Sequence, residues 1–221
     1  NTKVLVAPAE DLLSIMQNPE EDGFEPASDE TLEQLEEVLR ERSFFVSRYH
    51  CEEDELILQL IPYVIVTNKS KDEIYVYERC NDPIEYGDRR LFGKLSIGFG
   101  GHVNKEKDAP DYLNNCLFRE VDQEELLFKG EHSAPVLVGT LMSHKKPVDR
   151  VHFGLIYVVD TEGEVLKNEE SINWLKPYKA SVLQDQFRNE KIPERYETWT
   201  AELIKHLPSI KAISNGACIG K

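Results

Sequence analysis

The chain has 221 residues, a formal net charge of −15 and 40% hydrophobic residues, with a pI near 4.9. That is enough apolar surface for a full core in one domain, with or without an extension. The acidic balance excludes non-specific nucleic-acid binding, which rests on lysine and arginine neutralising phosphates, but not a small phosphorylated ligand, because a bound cation can invert the local field.

Residues 3–8 have the pattern of a short strand. Residues 9–27 mix acidic residues with proline and glycine and are expected to form a surface connection with at most one helical turn. Ser28 or Asp29 can cap a helix over 29–41, where Leu32, Leu35 and Leu39 recur at helical spacing. Residues 44–46, 59–68 and 73–80 are strand-like, rich in β-branched and aromatic side chains, and the Lys-Ser-Lys-Asp link between the last two suggests a hairpin. Residues 81–95 form a loop bearing Arg89, Arg90 and Lys94, and 96–101 a strand running into a glycine turn. A helix is expected over 110–127, with Pro110 in its first turn. Strands follow at 136–142 and 151–159, joined by a basic loop carrying His144, Lys145, Lys146 and Arg150. A last amphipathic helix over 194–207 turns Tyr196, Trp199, Leu203 and Leu207 inward, and the tail after it is weakly patterned. The order of strands and helices predicts an α+β fold.

Cys51, Cys80, Cys116 and Cys218 are scattered without a CxxC pair, so neither a disulfide framework nor a zinc site is expected. No signal peptide and no apolar run near the ~18 residues of a membrane span is visible. A cytoplasmic location is the expectation.

Gly98 to Leu127 concentrates the chemistry. A glycine turn, Gly98-Phe-Gly-Gly101, leads through a polar loop to Arg119-Glu-Val-Asp-Gln-Glu-Glu125. In an α-helix Glu120 and Glu124 stack four apart with Gln123 beside them, while Glu125 points elsewhere. Two stacked carboxylates repel unless a cation lies between them, and a hard cation that takes oxygen ligands suits them. A structural pair with an arginine, or a solvated acidic face, are the alternative uses of such a helix.

This stretch resembles the Nudix box, whose pattern is glycine, five residues, glutamate, seven residues, then Arg-Glu-apolar-x-Glu-Glu-x-Gly-apolar. Gly101 stands at the first position and Asp111 at the first glutamate, with residues 112–118 before Arg119, Glu120 and Val121. Glu124 matches the second glutamate of the pair, and Leu127 the last apolar position. Four extra residues lie between Gly101 and Asp111, Gln123 replaces the first glutamate of the pair, and Leu126 replaces the last glycine. A frame in which Glu124 and Glu125 form the pair would break the α-helical phase. The resemblance extends in order and pattern over about residues 44–207.

The resemblance implies an α/β/α sandwich, with the box helix and a C-terminal helix on a mixed central sheet. Residues 1–43 would be an N-terminal extension packed on a Nudix-like domain of residues 44–221. The implied activity is metal-dependent hydrolysis of a pyrophosphate bond in a nucleoside diphosphate derivative or similar phosphorylated metabolite. Mg²⁺ or Mn²⁺ would sit on Glu120, Glu124, the Gly101 carbonyl and Gln123, with Glu120, Glu124 and Arg119 as the catalytic set. Arg79, Arg90, His102, Lys145 and Arg150 are candidates for substrate binding, and Asp111, Glu169 and Glu170 are secondary candidates. Membrane and nucleic-acid partners are not expected, and a homodimer is a further expectation. Because Gln123 leaves the box one carboxylate short, a binding module with little catalysis is the alternative.

Overall fold

The computed structural model describes residues 2–80, 91–189 and 193–215. The elements run in order β1 (Lys3–Pro8), α1 (Ala9–Ile15), β2 (Gly23–Pro26), α2 (Asp29–Glu41), β3 (Phe44–Ser47), α3 (Arg48–Cys51), β4 (Ile57–Asn68), β5 (Glu73–Arg79), β6 (Leu95–Ser96) and β7 (Gly98–Phe99). They continue with α4 (Tyr112–Phe118), a π-helical segment Arg119–Glu125, β8 (Leu126–Lys129), β9 (Val136–Met142), β10 (His152–Asp160), β11 (Glu164–Lys167), β12 (Ile172–Lys179), α5 (Ala180–Asn189), α6 (Thr198–Lys205) and α7 (Leu207–Ser214). Among the described residues no helix is long and apolar enough to cross a membrane.

The 12-residue strand β4 is the axis of the mixed sheet. It runs parallel to β10, with Gln59 opposite His152 and Thr67 opposite Asp160. It also pairs antiparallel with β1, β5 and β7 at successive points along its length. The main path of the sheet is β12-β5-β4-β10-β9-β2, and β8 and β11 form a separate small ribbon.

Alternation along β4 divides the core into two layers. Ile61, Tyr63 and Ile65 face one side with Ile156 and Val158 of β10, under Leu183, Trp199, Leu203, Leu207 and Ile210 of the C-terminal helices. Leu58 and Leu60 face the other side with Phe153 and Leu155, under Leu12, Ile15, Leu35 and Cys116. Val64 and Val66 continue that face beneath Leu117 and Val121. A side-chain period of two on buried strands requires a cover on both faces, and the result is the expected α/β/α sandwich.

Some elements depart from the sequence expectation. Residues 9–27 hold α1 and the edge strand β2, which pairs with β9. Leu12 and Ile15 are buried there, although the local composition is acidic. Residues before 44 therefore supply two strands to the sheet. The helix expected over 110–127 is shorter and changes type at Arg119. The C-terminal helix is split in two at His206. At α2 the cap is as expected: Ser28 Oγ accepts from the Thr31 amide at 3.1 Å.

Tyr63 joins the sheet to α6 through a buried hydroxyl. Its Oη lies 2.8 Å from Ser96 Oγ and 3.1 Å from Thr200 Oγ1, and donates to Glu197 Oε2 at 3.2 Å. Burial holds the phenol far above its usual range, so it stays a neutral donor. Removing the oxygen in Tyr63→Phe strands these partners in the core. The expected cost is about 1–3 kcal/mol, read as a melting temperature roughly 3–9 °C lower. An unchanged melting temperature would show that the network does not hold α6.

Candidate active site

The glycine turn lies against β4 with no room for side chains. Gly100 has φ +144°, and a Cβ there would sit 2.0 Å from the Pro62 carbonyl oxygen. A Cβ on Gly101 would meet Glu120 Oε1 at 2.7 Å. Glycine at these positions lets the turn approach both the strand and the carboxylate.

Beyond the turn, α4 gives way to the π segment. Its hydrogen bonds close over five residues rather than four, so the residue five positions on shares a face. Glu125, not Glu124, therefore turns inward with Glu120, and the α-helical phase expected from the sequence is not observed. Glu125 is 5% exposed and lines the same cleft as Glu120. Glu124 is absent from the cleft lining, and its 38% exposed side chain takes bonds from Arg119 at 3.1 Å and Lys107 at 3.2 Å. Gln123 is exposed. With one residue counted as an insertion absorbed by the π turn, the box contains the pair Glu124-Glu125 and is not short of a carboxylate.

Arg119 is the cation between the box carboxylates. It donates to Asp108 at 2.7 and 3.0 Å, to Glu120, to Glu124, and to the His102 carbonyl at 3.1 Å. Burial works against its charge, but the hydrogen bond to Asp108 and the field of Glu120 outweigh burial and raise its pKa. Asp108 is fully buried. It was missed in the sequence because it lies in the loop insertion, three residues before the position aligned with the box glutamate. Asp111, aligned there, instead accepts a local bond from Asn114 at 2.8 Å at the start of α4.

The cleft encloses about 970 Å³. At one end Gly100, Gly101, Glu120, Glu125 and Glu169 converge. Burial raises the Glu120 pKa, opposed by Arg119. The Glu125 carboxyl is pushed well above the usual carboxylate range, first by burial and then by the Glu120 charge, with Arg79 opposing. Its Oε2 is buried without a partner. Asn168 positions Glu169 by bonding to the Glu125 carbonyl at 2.9 Å and the Gln123 carbonyl at 2.8 Å. Glu170 is exposed and outside the cleft lining.

Carboxylate and carbonyl oxygens with one orphaned buried oxygen fit a hard divalent cation. Among the described residues no three histidine, cysteine or acidic side chains already form a ligand cluster, and Arg119 occupies one oxygen of Glu120.

The expected substrate residues divide. Arg79 and His102 line the cleft. Arg79 is buried and paired with Glu197, which sequence patterning did not reveal because the two are 118 positions apart. Lys145 is paired with Glu202 outside the cleft lining. Arg150 donates to the His144 carbonyl at 3.1 Å and lies 3.6 Å from Glu55, also outside that lining. Arg90 and Arg89 fall outside the described residues. Arg48, Lys94 and Lys146 are the further cleft cations among the described residues.

No family model matches the chain. It is 31% identical over 183 residues to Protein YmaB of Bacillus subtilis, covering 79% of this chain and 81% of the relative. Among solved structures it is similar to Tm1382, assigned to the Nudix hydrolases, with TM-score 0.71, 23% identity, and 93% and 97% of the two chains covered. DR0079 from Deinococcus radiodurans superposes with TM-score 0.46 at 13% identity over 73% of this chain and 90% of its own.

Two expectations follow from the π segment. A carboxyl whose folded pKa is raised contributes full stability below its unfolded pKa and loses that contribution as pH rises through the folded value. Glu125→Gln should therefore stabilise the chelator-treated protein by about 1–3 kcal/mol at about pH 8, with the gain shrinking towards about pH 5. Thermal melts of both proteins at the two pH values test this, and a gain larger at the acid end would contradict a raised Glu125 pKa. Deleting Gln123 should let the segment close as an α-helix with Glu120 and the Glu-Glu pair in phase. Circular dichroism and melting should then show a folded protein of undiminished stability, and an unfolded deletion variant would exclude the insertion reading.

Proposed function

The chain belongs to the family of Bacillus subtilis Protein YmaB and shares the fold of Tm1382, and on that premise we propose that it is a Nudix-type, divalent-metal-dependent hydrolase. Its substrate class would be phosphoric anhydrides, such as a nucleoside diphosphate linked to a second group. The observation that carries this reading is the buried, partnerless oxygen of Glu125 beside Glu120, on a cleft wall formed against the Gly100–Gly101 turn.

Glu120, Glu125, Glu169 and the Gly101 carbonyl would hold Mg²⁺ or Mn²⁺. When bound, such an ion neutralises phosphoryl oxygens and lowers the pKa of coordinated water. Arg119 keeps Glu120 oriented while Asp108 anchors Arg119 from behind. Gly101 leaves the turn close enough for backbone and carboxylate to share one ligand. Arg79, held by Glu197, presents a fixed rather than a swinging cation to an anionic substrate. Lys94 and Lys146 add positive charge elsewhere along the cleft wall. The carboxylate shortage that favoured a binding-only module applies to Gln123, whose side chain is outside the cleft lining.

The test is turnover on a panel of nucleoside diphosphate derivatives with Mg²⁺ or Mn²⁺ and identification of the products. Activity should appear on at least one member, require the metal, and fall by roughly a hundredfold or more in Glu120→Gln and Glu125→Gln. Glu124→Gln should lose much less. An inert wild type across the panel, or Glu124→Gln inactive with Glu125→Gln active, would overturn the assignment.

A further inference from the structure

His102 follows the glycine turn, and His152 begins β10; both line the cleft. Their Nε2 atoms are 3.1 Å apart, with the rings inclined at 68°. Two imidazole nitrogens at hydrogen-bond distance need one proton between them, so one donates and the other accepts. The far side of His152 decides which. Its Nδ1 lies 2.6 Å from the Val148 carbonyl oxygen. A carbonyl only accepts, so His152 Nδ1 carries the proton. In the neutral ring Nε2 is then a lone pair, and His102 Nε2 must donate to it.

That leaves His102 Nδ1 unprotonated. Among the described residues it has no hydrogen-bond partner. Arg119 donates to the His102 carbonyl.

We infer that His152 is a positioning residue that fixes His102 as its Nε2–H tautomer, so that Nδ1 stands in the cleft wall as an acceptor for an O–H donor, water or a substrate hydroxyl. The tautomer stands on geometry alone; what the O–H donor does there rests on the hydrolase reading. Under this assignment His102 would meet a substrate through a hydroxyl and not through an ionised phosphoryl oxygen, which also only accepts. Mg²⁺ and Mn²⁺ prefer oxygen ligands and leave such a lone pair free.

Histidine-selective ¹⁵N labelling of the full chain with long-range proton–nitrogen correlation reads the tautomer directly. In the wild type His102 should show a protonated Nε2 and a pyridine-like Nδ1, and His152 the opposite. His152→Phe removes the acceptor and should give His102 mixed tautomer signals, with kcat lower on the order of tenfold to a hundredfold. His152→Gln, whose amide oxygen can accept from His102, should restore the tautomer and much of the rate. A kcat loss shared by all substrates identifies water as the donor, whereas a KM rise confined to hydroxyl-bearing substrates identifies a substrate group. A wild-type His102 that is cationic or protonated at Nδ1 would overturn the inference, as would weaker binding of inorganic pyrophosphate in His102→Gln. If the wild type hydrolyses nothing on the panel while the tautomer is as stated, the hydrolase reading fails and the His152 assignment survives. Should His152→Phe not fold, the wild-type and His152→Gln spectra decide the matter.

Discussion

Arg119 is the tie on which the site depends. One guanidinium reaches Asp108 in the loop, Glu120 and Glu124 in the π segment, and the backbone at His102 beyond the glycine turn. Without it the buried carboxylates of Asp108 and Glu120 would lose the guanidinium that they share. The planar fork suits this task because its donors point in several fixed directions at once. Breaking such a buried arrangement costs more than the arrangement itself contributes, since each released carboxylate stays desolvated.

The π segment adds a second constraint. It turns Glu125 away from water and into the cleft end with Glu120 and Glu169, where burial first, and then the Glu120 and Glu169 charges, raise the cost of ionising it. A fold selected only for stability would not bury an unpartnered carboxylate oxygen at the end of a cleft. π turns are rare and occur often at functional sites, and the arrangement has the form of a site that gives up stability for binding. The bonds from Asn168 to this segment extend the same logic to Glu169, which would otherwise sit on a free loop.

Opposite this wall, Glu197 at the N-cap of α6 and Trp199 in its first turn line the cleft, while Leu203 and Ile204 fill the core. Glu197 serves Arg79 and Tyr63 together, so the position of a cleft cation is coupled to the packing of a C-terminal helix on the sheet. The parallel pairing of β4 with β10 does the same for the histidines, since it sets where the start of β10 lies relative to the turn.

Much of this chain was legible from local pattern. The period-two strands β4, β5, β9 and β10, the capped helix α2 and the Gly101–Arg119–Glu120 spacing follow from residue types acting on their own neighbours. The Nudix resemblance rested on those features, and the fold agrees with it. Residues 9–27 were misread because α1 and β2 are stabilised by burial against β9 and α2, not by their own propensity. The phase of the box was misread for a related reason. A sequence pattern assumes one helical period, and only packing against the turn and the 168–169 loop decides that five residues, not four, separate the inward glutamates. The partnerships of Arg119 with Asp108, Arg79 with Glu197 and His102 with His152 are tertiary in the same sense: each joins segments that no local periodicity connects. The sequence alone determined which chemical groups were available and roughly where the turn and helix lay. Tertiary structure decided which of the carboxylates faces the cleft, because burial and charge balance are properties of the assembled walls.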